Sequence, residues 1–265
     1  MANQSGYGKV GKKGPSGRSY RNATGLTRQP KKMRGRKVSS QRWLTRQLND
    51  PFVAEAKSRG FRSRAALKLE QIDDRFQFLK PGMAVVDLGC APGGWLQVSS
   101  LRTKLGKGKA RLVGIDLIET EGIVGAEVFT GDITDSEMLE KVRAAIGGAA
   151  DGVLSDMAAD TTGHRSTDHL RTTALLEVAL YFALDILNQN GFFLAKCFRG
   201  GAEKLLLDMM QRNFKTVRHV KPAASRSESV ESYVLAIGFH GTGQAEEIVA
   251  DVLAGRHDAD GKIIR

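Results

Sequence analysis

Between residues 84 and 239, short apolar runs alternate with stretches of helical spacing, and that alternation admits very few folds. The runs are Ala84–Leu88, Leu112–Leu117, Ala126–Phe129, Gly152–Leu154, Phe192–Phe198, a weaker one at Thr216–Val220, and Ser232–Phe239. Helix-like segments lie between them near 94–104, 136–146, 168–188 and 201–213. Strand and helix in alternation predict an α/β architecture, a mostly parallel seven-stranded sheet with helices on both faces. The last two runs are joined by a polar loop, 221–231, too short for a covering helix. One antiparallel strand beside the sheet edge is therefore expected. Upstream, Ala65, Leu69, Ile72, Phe76 and Leu79 fall on one helical face, and Pro81-Gly82 ends that helix.

Charge divides the chain differently. Residues 1–49 hold 13 of the 40 Lys and Arg and no acidic residue, so the remainder carries 27 basic against 29 acidic groups. The chain reads as a disordered basic arm (1–48), a nearly neutral domain (49–240) and a C-terminal extension (241–265). The arm is rich in Gly, Ser, Lys and Arg without apolar period, and cannot bury enough surface to offset its ordering entropy. It reads as a tether on nucleic-acid phosphates, with a solubilising tail or a targeting peptide as alternatives. No apolar signal segment follows the start. The most apolar stretch, Val178–Ala195, is interrupted by Asp185, so no membrane partner and a cytoplasmic location are expected. Two cysteines, Cys90 and Cys197, suit a reducing interior and cannot form a disulfide framework.

Where the runs end is more informative. Asp87, Asp116, Asp132, Asp156 and Lys196 each stand at or near the carboxyl end of a successive apolar run. In open α/β sheets that is the ligand-binding edge. One such Asp is usually a turn former, but five at one topological position point to a site. The first run leads into Gly89-Cys90-Ala91-Pro92-Gly93-Gly94-Trp95 and then a helix. Glycines there let the backbone approach a ligand closely. The spacing is not that of dinucleotide folds, and Pro92 lacks an amide for a pyrophosphate. With Asp116 placed for a ribose diol and Asp132 for an adenine amino group, this phosphate-poor turn favours S-adenosylmethionine over NAD. No P-loop is present.

Lys196 stands inside the apolar run 192–198, where an unpaired ammonium would be costly, and Asp156 is its natural partner. The alternative is a purely structural ion pair. Lys68 lies at the boundary of its helix's apolar stripe, where snorkelling lysines are common. Glu231 opens the last run, and an antiparallel last strand would start at the edge where the parallel strands finish. His164 lies in a polar loop that could cover the site. Arg62, Arg64 and Arg226 read equally as phosphate contacts or surface charges. No second His or Cys stands at ligand spacing, so no metal is expected.

These motifs resemble one family. Asp-Leu-Gly-x-Ala-Pro-Gly-Gly-Trp from Asp87, Leu-Ser-Asp-Met-Ala around Asp156, a Lys in the strand after Gly191, and Ser-Arg-Ser-x-Ser-x-Glu-x-Tyr ending at Tyr233 are similar to the FtsJ/RrmJ family of RNA 2′-O-ribose methyltransferases, across about residues 58–240. The resemblance implies a Rossmann-like S-adenosylmethionine-dependent methyltransferase fold and a catalytic tetrad of Lys68, Asp156, Lys196 and Glu231. It also implies cofactor contacts at Gly93, Trp95, Asp116, Asp132 and Asp156. The implied substrate is a uridine of 23S rRNA in the large ribosomal subunit, met as free rRNA or assembled subunit, by a monomer. Cys90 and Ala158-Ala159 depart from the more familiar residues at those places. Other readings are a tRNA or mRNA-cap 2′-O-methyltransferase, a nicotinamide oxidoreductase, and a non-enzymatic ribosome-binding factor.

Overall fold

The computed structural model describes residues 38–159, 162–198, 204–226 and 229–241. Residues 1–37 of the basic arm and 242–265 of the extension lie outside them. The chain divides between Ala54 and Glu55 into two units. In the first, helix α1 (Val38–Asn49) occupies the part of the arm expected to be disordered. Gln41, Arg42, Leu44, Arg46, Gln47 and Leu48 are all good helix formers, a propensity masked in the sequence by the surrounding Gly-, Ser- and Lys-rich composition. Helix α2 (Pro51–Ser58) begins on Asp50, whose Oδ1 accepts the Phe52 N–H at 3.0 Å, with Pro51 in the first helical position.

The second unit is built on seven strands: β1 (Ala84–Leu88), β2 (Arg111–Asp116), β3 (Glu127–Thr130), β4 (Ala150–Ser155), β5 (Leu187–Phe198), β6 (Phe214–Val220) and β7 (Glu231–Phe239). Their order in the sheet is β3-β2-β1-β4-β5-β7-β6. All pairings from β3 to β5 are parallel, and β7 runs antiparallel to both β5 and β6. The strand order reverses between β1 and β4, so a crevice opens at their carboxyl ends. The expected antiparallel strand is β7, seated between β5 and the edge strand β6.

Helices α3 (Ala65–Phe76) and α4 (Gly94–Thr103) cover one face, and α5 (Ser136–Ile146), α6 (Arg165–Ile186) and α7 (Lys204–Asn213) the other. Strand side chains alternate between two cores. Val86, Leu88, Val113, Ala195 and Cys197 pack towards α5–α7, whereas Val85, Leu112, Leu194, Tyr233 and Leu235 pack with Ala66, Leu69, Ile72, Trp95 and Leu96 of α3 and α4. Each fully buried Leu, Ile or Phe contributes about 1.5–3 kcal/mol of transfer free energy. The same alternation fixes where the polar side chains go. Asp87, Lys196, Glu231 and Tyr233 all face the α3 side, because each stands two residues from a side chain on that side (Val85, Leu194, Tyr233 and Leu235) and so faces the same way. No helix among the described residues is long and apolar enough to cross a membrane.

Candidate active site

The register of β7 against β5 pairs Lys196 with Tyr233 and Phe198 with Glu231. Directly opposed residues share a face, so Lys196, Glu231 and Tyr233 point together towards α3. On α3, Lys68 is buried between Leu67 and Leu69 and points back at the sheet. Its Nζ lies 2.7 Å from Glu231 Oε1 and donates to the Tyr233 hydroxyl at 3.2 Å. That hydroxyl donates to Asp156 Oδ1 at 2.9 Å. Lys196 Nζ lies 2.7 Å from the same Oδ1, donates to the Asp156 carbonyl at 2.9 Å, and stands 4.0 Å from Glu231 Oε2. Ser225 Oγ donates to Glu231 Oε1 at 2.9 Å. Two amines, two carboxylates and a phenol thus close a ring at the carboxyl edge of the sheet. The four residues that the sequence marked from distant segments meet there.

The ring is nearly dry. Lys68 is 6% and Lys196 9% exposed, so each cation depends on its carboxylate. Burial alone would raise the Asp156 carboxyl. The charges of Lys196 and Lys68, with hydrogen bonds from Lys196 and Tyr233, outweigh it and hold that carboxyl below its ordinary range. Burial, then the negative charges of Asp156 and Glu231, pushes the Tyr233 hydroxyl well above its ordinary value. Tyr233 is therefore a fixed proton donor between Lys68 and Asp156. It is the member of the ring that strand patterning did not single out. Its signal was present, since it follows Glu231 by two residues on a strand.

On the β1 side, Gly89 and Gly93 adopt positive φ of 74° and 102°, which only glycine takes without strain. A Cβ on Gly89 would come within 2.9 Å of the Met157 backbone. Asp116 Oδ2 accepts the Ala91 N–H and Oδ1 the Ile118 N–H, both at 2.9 Å, which ties the glycine-rich turn to the end of β2. Asp132 is exposed. Its Oδ1 accepts both the N–H and the hydroxyl of Thr134, and the backbone bond first, then the hydroxyl, lowers its carboxyl. The Trp95 ring is not at the mouth of the crevice. It is 2% exposed, donates to the Ala65 carbonyl at 2.8 Å and packs 5.7 Å from the Tyr233 ring, so its side chain braces α4 against α3. Beneath the turn, Asp87 is fully buried, and neither of its oxygens has a hydrogen-bond partner among the described residues. Burial, then the charges of Asp156 and Asp116, pushes its carboxyl well above the usual range.

The family model described as FtsJ-like methyltransferase matches residues 61–239. The chain belongs to that family. Among its relatives, proteins named ribosomal RNA large subunit methyltransferase E are 56% identical in Maricaulis maris, over 80% of this chain and 74% of theirs, and 54% identical in Paramagnetospirillum magneticum, over 87% and 94%. A crystal structure titled as a putative ribosomal RNA methyltransferase from Plasmodium falciparum superposes with a TM-score of 0.61 at 30% identity, covering 68% of this chain and all of that one. The chain is an enzyme of the FtsJ-like methyltransferase class, on the mostly parallel seven-stranded sheet that its sequence predicted.

The remaining candidates of this FtsJ-like methyltransferase fall outside the ring. His164 is exposed at the start of α6, and two residues of the loop before it, 160 and 161, lie outside the described residues. Arg64 stands at the N-terminal boundary of α3, near enough to Tyr233 to act on its charge. Arg62 donates to backbone carbonyls of two loops.

Proposed function

We propose that this methyltransferase transfers the methyl group of S-adenosylmethionine to a ribose 2′-hydroxyl of large-subunit rRNA, a uridine of 23S rRNA, in the cytoplasm. The observation that carries the reading is the closed ring of Lys68, Glu231, Tyr233, Asp156 and Lys196 beside the strand-order crevice. A purely structural ion pair needs one amine and one acid, not two of each around a phenol. The residues present also fit the cofactor. The crevice edge holds the carboxylates of Asp116 and Asp156, with Asp87 buried beneath the turn, and the turn lacks a phosphate cradle. A cationic, phosphate-free nucleoside suits that edge better than a dinucleotide does. Asp116 would accept the ribose diol on its remaining lone pairs and Asp132 the adenine amino group. Gly93 would admit the backbone closely, Trp95 would contribute its amide at the α4 N-terminus, and Asp156 would close the methionine end.

When bound, S-adenosylmethionine supplies a methyl group already activated by a positive sulfur. The protein's work is alignment and care of one proton. Lys196 has three N–H directions; two are held by Asp156, and the third has no hydrogen-bond acceptor among the described residues. That third direction is the place for the 2′-oxygen. As an amine, Lys196 takes its proton; as an ammonium, it stabilises the developing alkoxide. Asp156 orients Lys196, while Lys68, held by Glu231, positions the ribose. Ser225 and Tyr233 keep Glu231 and Asp156 in place.

The test is incubation with labelled-methyl S-adenosylmethionine and large subunits lacking the modification, followed by mass spectrometry of the digested rRNA. One 2′-O-methyluridine should appear. Label on tRNA or a cap alone, or none, would overturn the reading. The basic arm is assigned to RNA phosphates by its charge alone. Deleting residues 1–48 should leave cofactor affinity intact and flatten the salt dependence of subunit binding by about 0.7–0.9 log units per lost phosphate contact. An unchanged slope would remove the tether.

A further inference from the structure

Arg62, which the sequence left open between surface charge and phosphate contact, has both terminal nitrogens bonded within the protein. Nη1 donates to the Pro92 carbonyl at 3.2 Å and also to the Glu121 carbonyl, and Nη2 donates to the Gly122 carbonyl at 2.8 Å. The Glu121 carboxylate stands 3.7 Å from Nη2. Pro92 belongs to the glycine-rich turn after β1; Glu121 and Gly122 belong to the loop between β2 and β3. The base of the arginine is fixed as well. Its N–H donates to Gln97 Oε1 at 2.8 Å, and Gln97 Nε2 donates to the Gly60 carbonyl at 2.9 Å. Gln97 lies on α4, the helix that continues the turn. A Cβ on Gly93 would collide with the guanidinium and lie 3.2 Å from Arg62 Cδ, so the side chain crosses directly over the turn.

We infer that Arg62 is a positioning residue for the cofactor, a strap that holds the turn 89–93 and the loop 117–125 in one arrangement. This rests on the proposed use of S-adenosylmethionine, whose nucleoside would sit between those two loops. Asp116 already ties them at the end of β2 through Ala91 and Ile118; Arg62 ties them again farther out. Three carbonyls on two loops need a planar, multi-donor head, which arginine has and lysine lacks. Leu117, Ile118 and Val124 of the second loop are 71%, 67% and 98% exposed. Ile123 is the loop residue that packs against the core, and the exposed ones leave the backbone carbonyls as the further handle. With both nitrogens committed to the loops, Arg62 serves the cofactor and not an RNA phosphate.

The experiment uses the full chain as wild type, Arg62→Ala and Arg62→Lys. S-adenosylhomocysteine is titrated calorimetrically, methyl transfer to large subunits is measured under varied cofactor, and amide exchange across 117–125 is followed without ligand. Arg62→Ala should weaken S-adenosylhomocysteine and raise KM for S-adenosylmethionine by about tenfold. Its kcat at saturating cofactor should stay within about threefold of wild type, since no group of the amine–carboxylate ring is touched. Amides 117–125 should exchange faster in Arg62→Ala, and Arg62→Lys should fall between. Unchanged exchange and affinity in Arg62→Ala, or a defect confined to KM for the subunit with a shallower salt slope, would overturn the strap. If wild type itself fails to bind S-adenosylhomocysteine, the cofactor reading falls and the cofactor role of Arg62 with it, while the exchange data still decide whether Arg62 tethers the loops.

Discussion

Lys196→Ala is expected to lower kcat for methyl transfer by about a thousandfold or more, the combined scale of losing a positioned proton acceptor or a charge-stabilising donor. Cofactor affinity should change by only a few-fold, because Lys196 hangs from β5, away from the turn after β1 and the end of β2. The loss should be as large in kcat as in kcat/KM, since the third N–H direction is used on the reacting oxygen and not in ground-state docking. Single-turnover transfer of a labelled methyl group, beside calorimetric titration of S-adenosylhomocysteine, separates the two quantities. Turnover near the wild-type rate would remove Lys196 from the chemistry and leave the ring a structural device.

Asp156→Asn should remove both activity and stability. Its Oδ1 holds Lys196 and accepts the hydrogen bond donated by the Tyr233 hydroxyl. Replacing it by a neutral amide leaves an ammonium that is 9% exposed with only Glu231 as a distant counter-charge. Breaking one side of such a buried pair costs about 3 kcal/mol or more. The pH dependence carries a definite sign. The folded carboxyl sits below its ordinary value, so its contribution is complete above the unfolded pKa of about 3.9 and is lost as pH falls through the lowered folded value. The stability gap between wild type and Asp156→Asn, measured by denaturant titration, should therefore be widest near neutrality and shrink below about pH 3–4. A gap that stays constant over that range would show that the carboxylate's charge is not what matters.

Helix and strand periodicity located nearly every element, because burial on one or two faces writes itself into spacing. It failed where the local signal was ambiguous. Strand β5 begins at Leu187, five residues before the apolar run, through an Asn-Gln-Asn-Gly stretch that reads as a turn; Asn190 indeed takes a positive φ of 65°. Helix α1 was hidden by its basic neighbours. The ionisable residues at strand ends were legible for a different reason: a charge inside or beside an apolar run is costly and therefore conspicuous. Tyr233 carries no charge and was not conspicuous by that rule; its signal was only its place two residues after Glu231 on the same strand face.

By its residues alone, the chain determined which groups stand at the ligand edge: the acids closing β1, β2 and β4, the lysine inside β5, the glutamate opening β7. Beyond the Lys196–Asp156 pair, which the sequence already marked, partnership was a tertiary matter. Seating β7 between β5 and β6 set Glu231 opposite Phe198 and Tyr233 opposite Lys196, and the packing of α3 on that face brought Lys68 to the pair. Coulomb and hydrogen-bond energies depend on separation and on excluded water. A chain of letters specifies neither until 165 residues of sequence, from Lys68 to Tyr233, have been folded to within 3.2 Å.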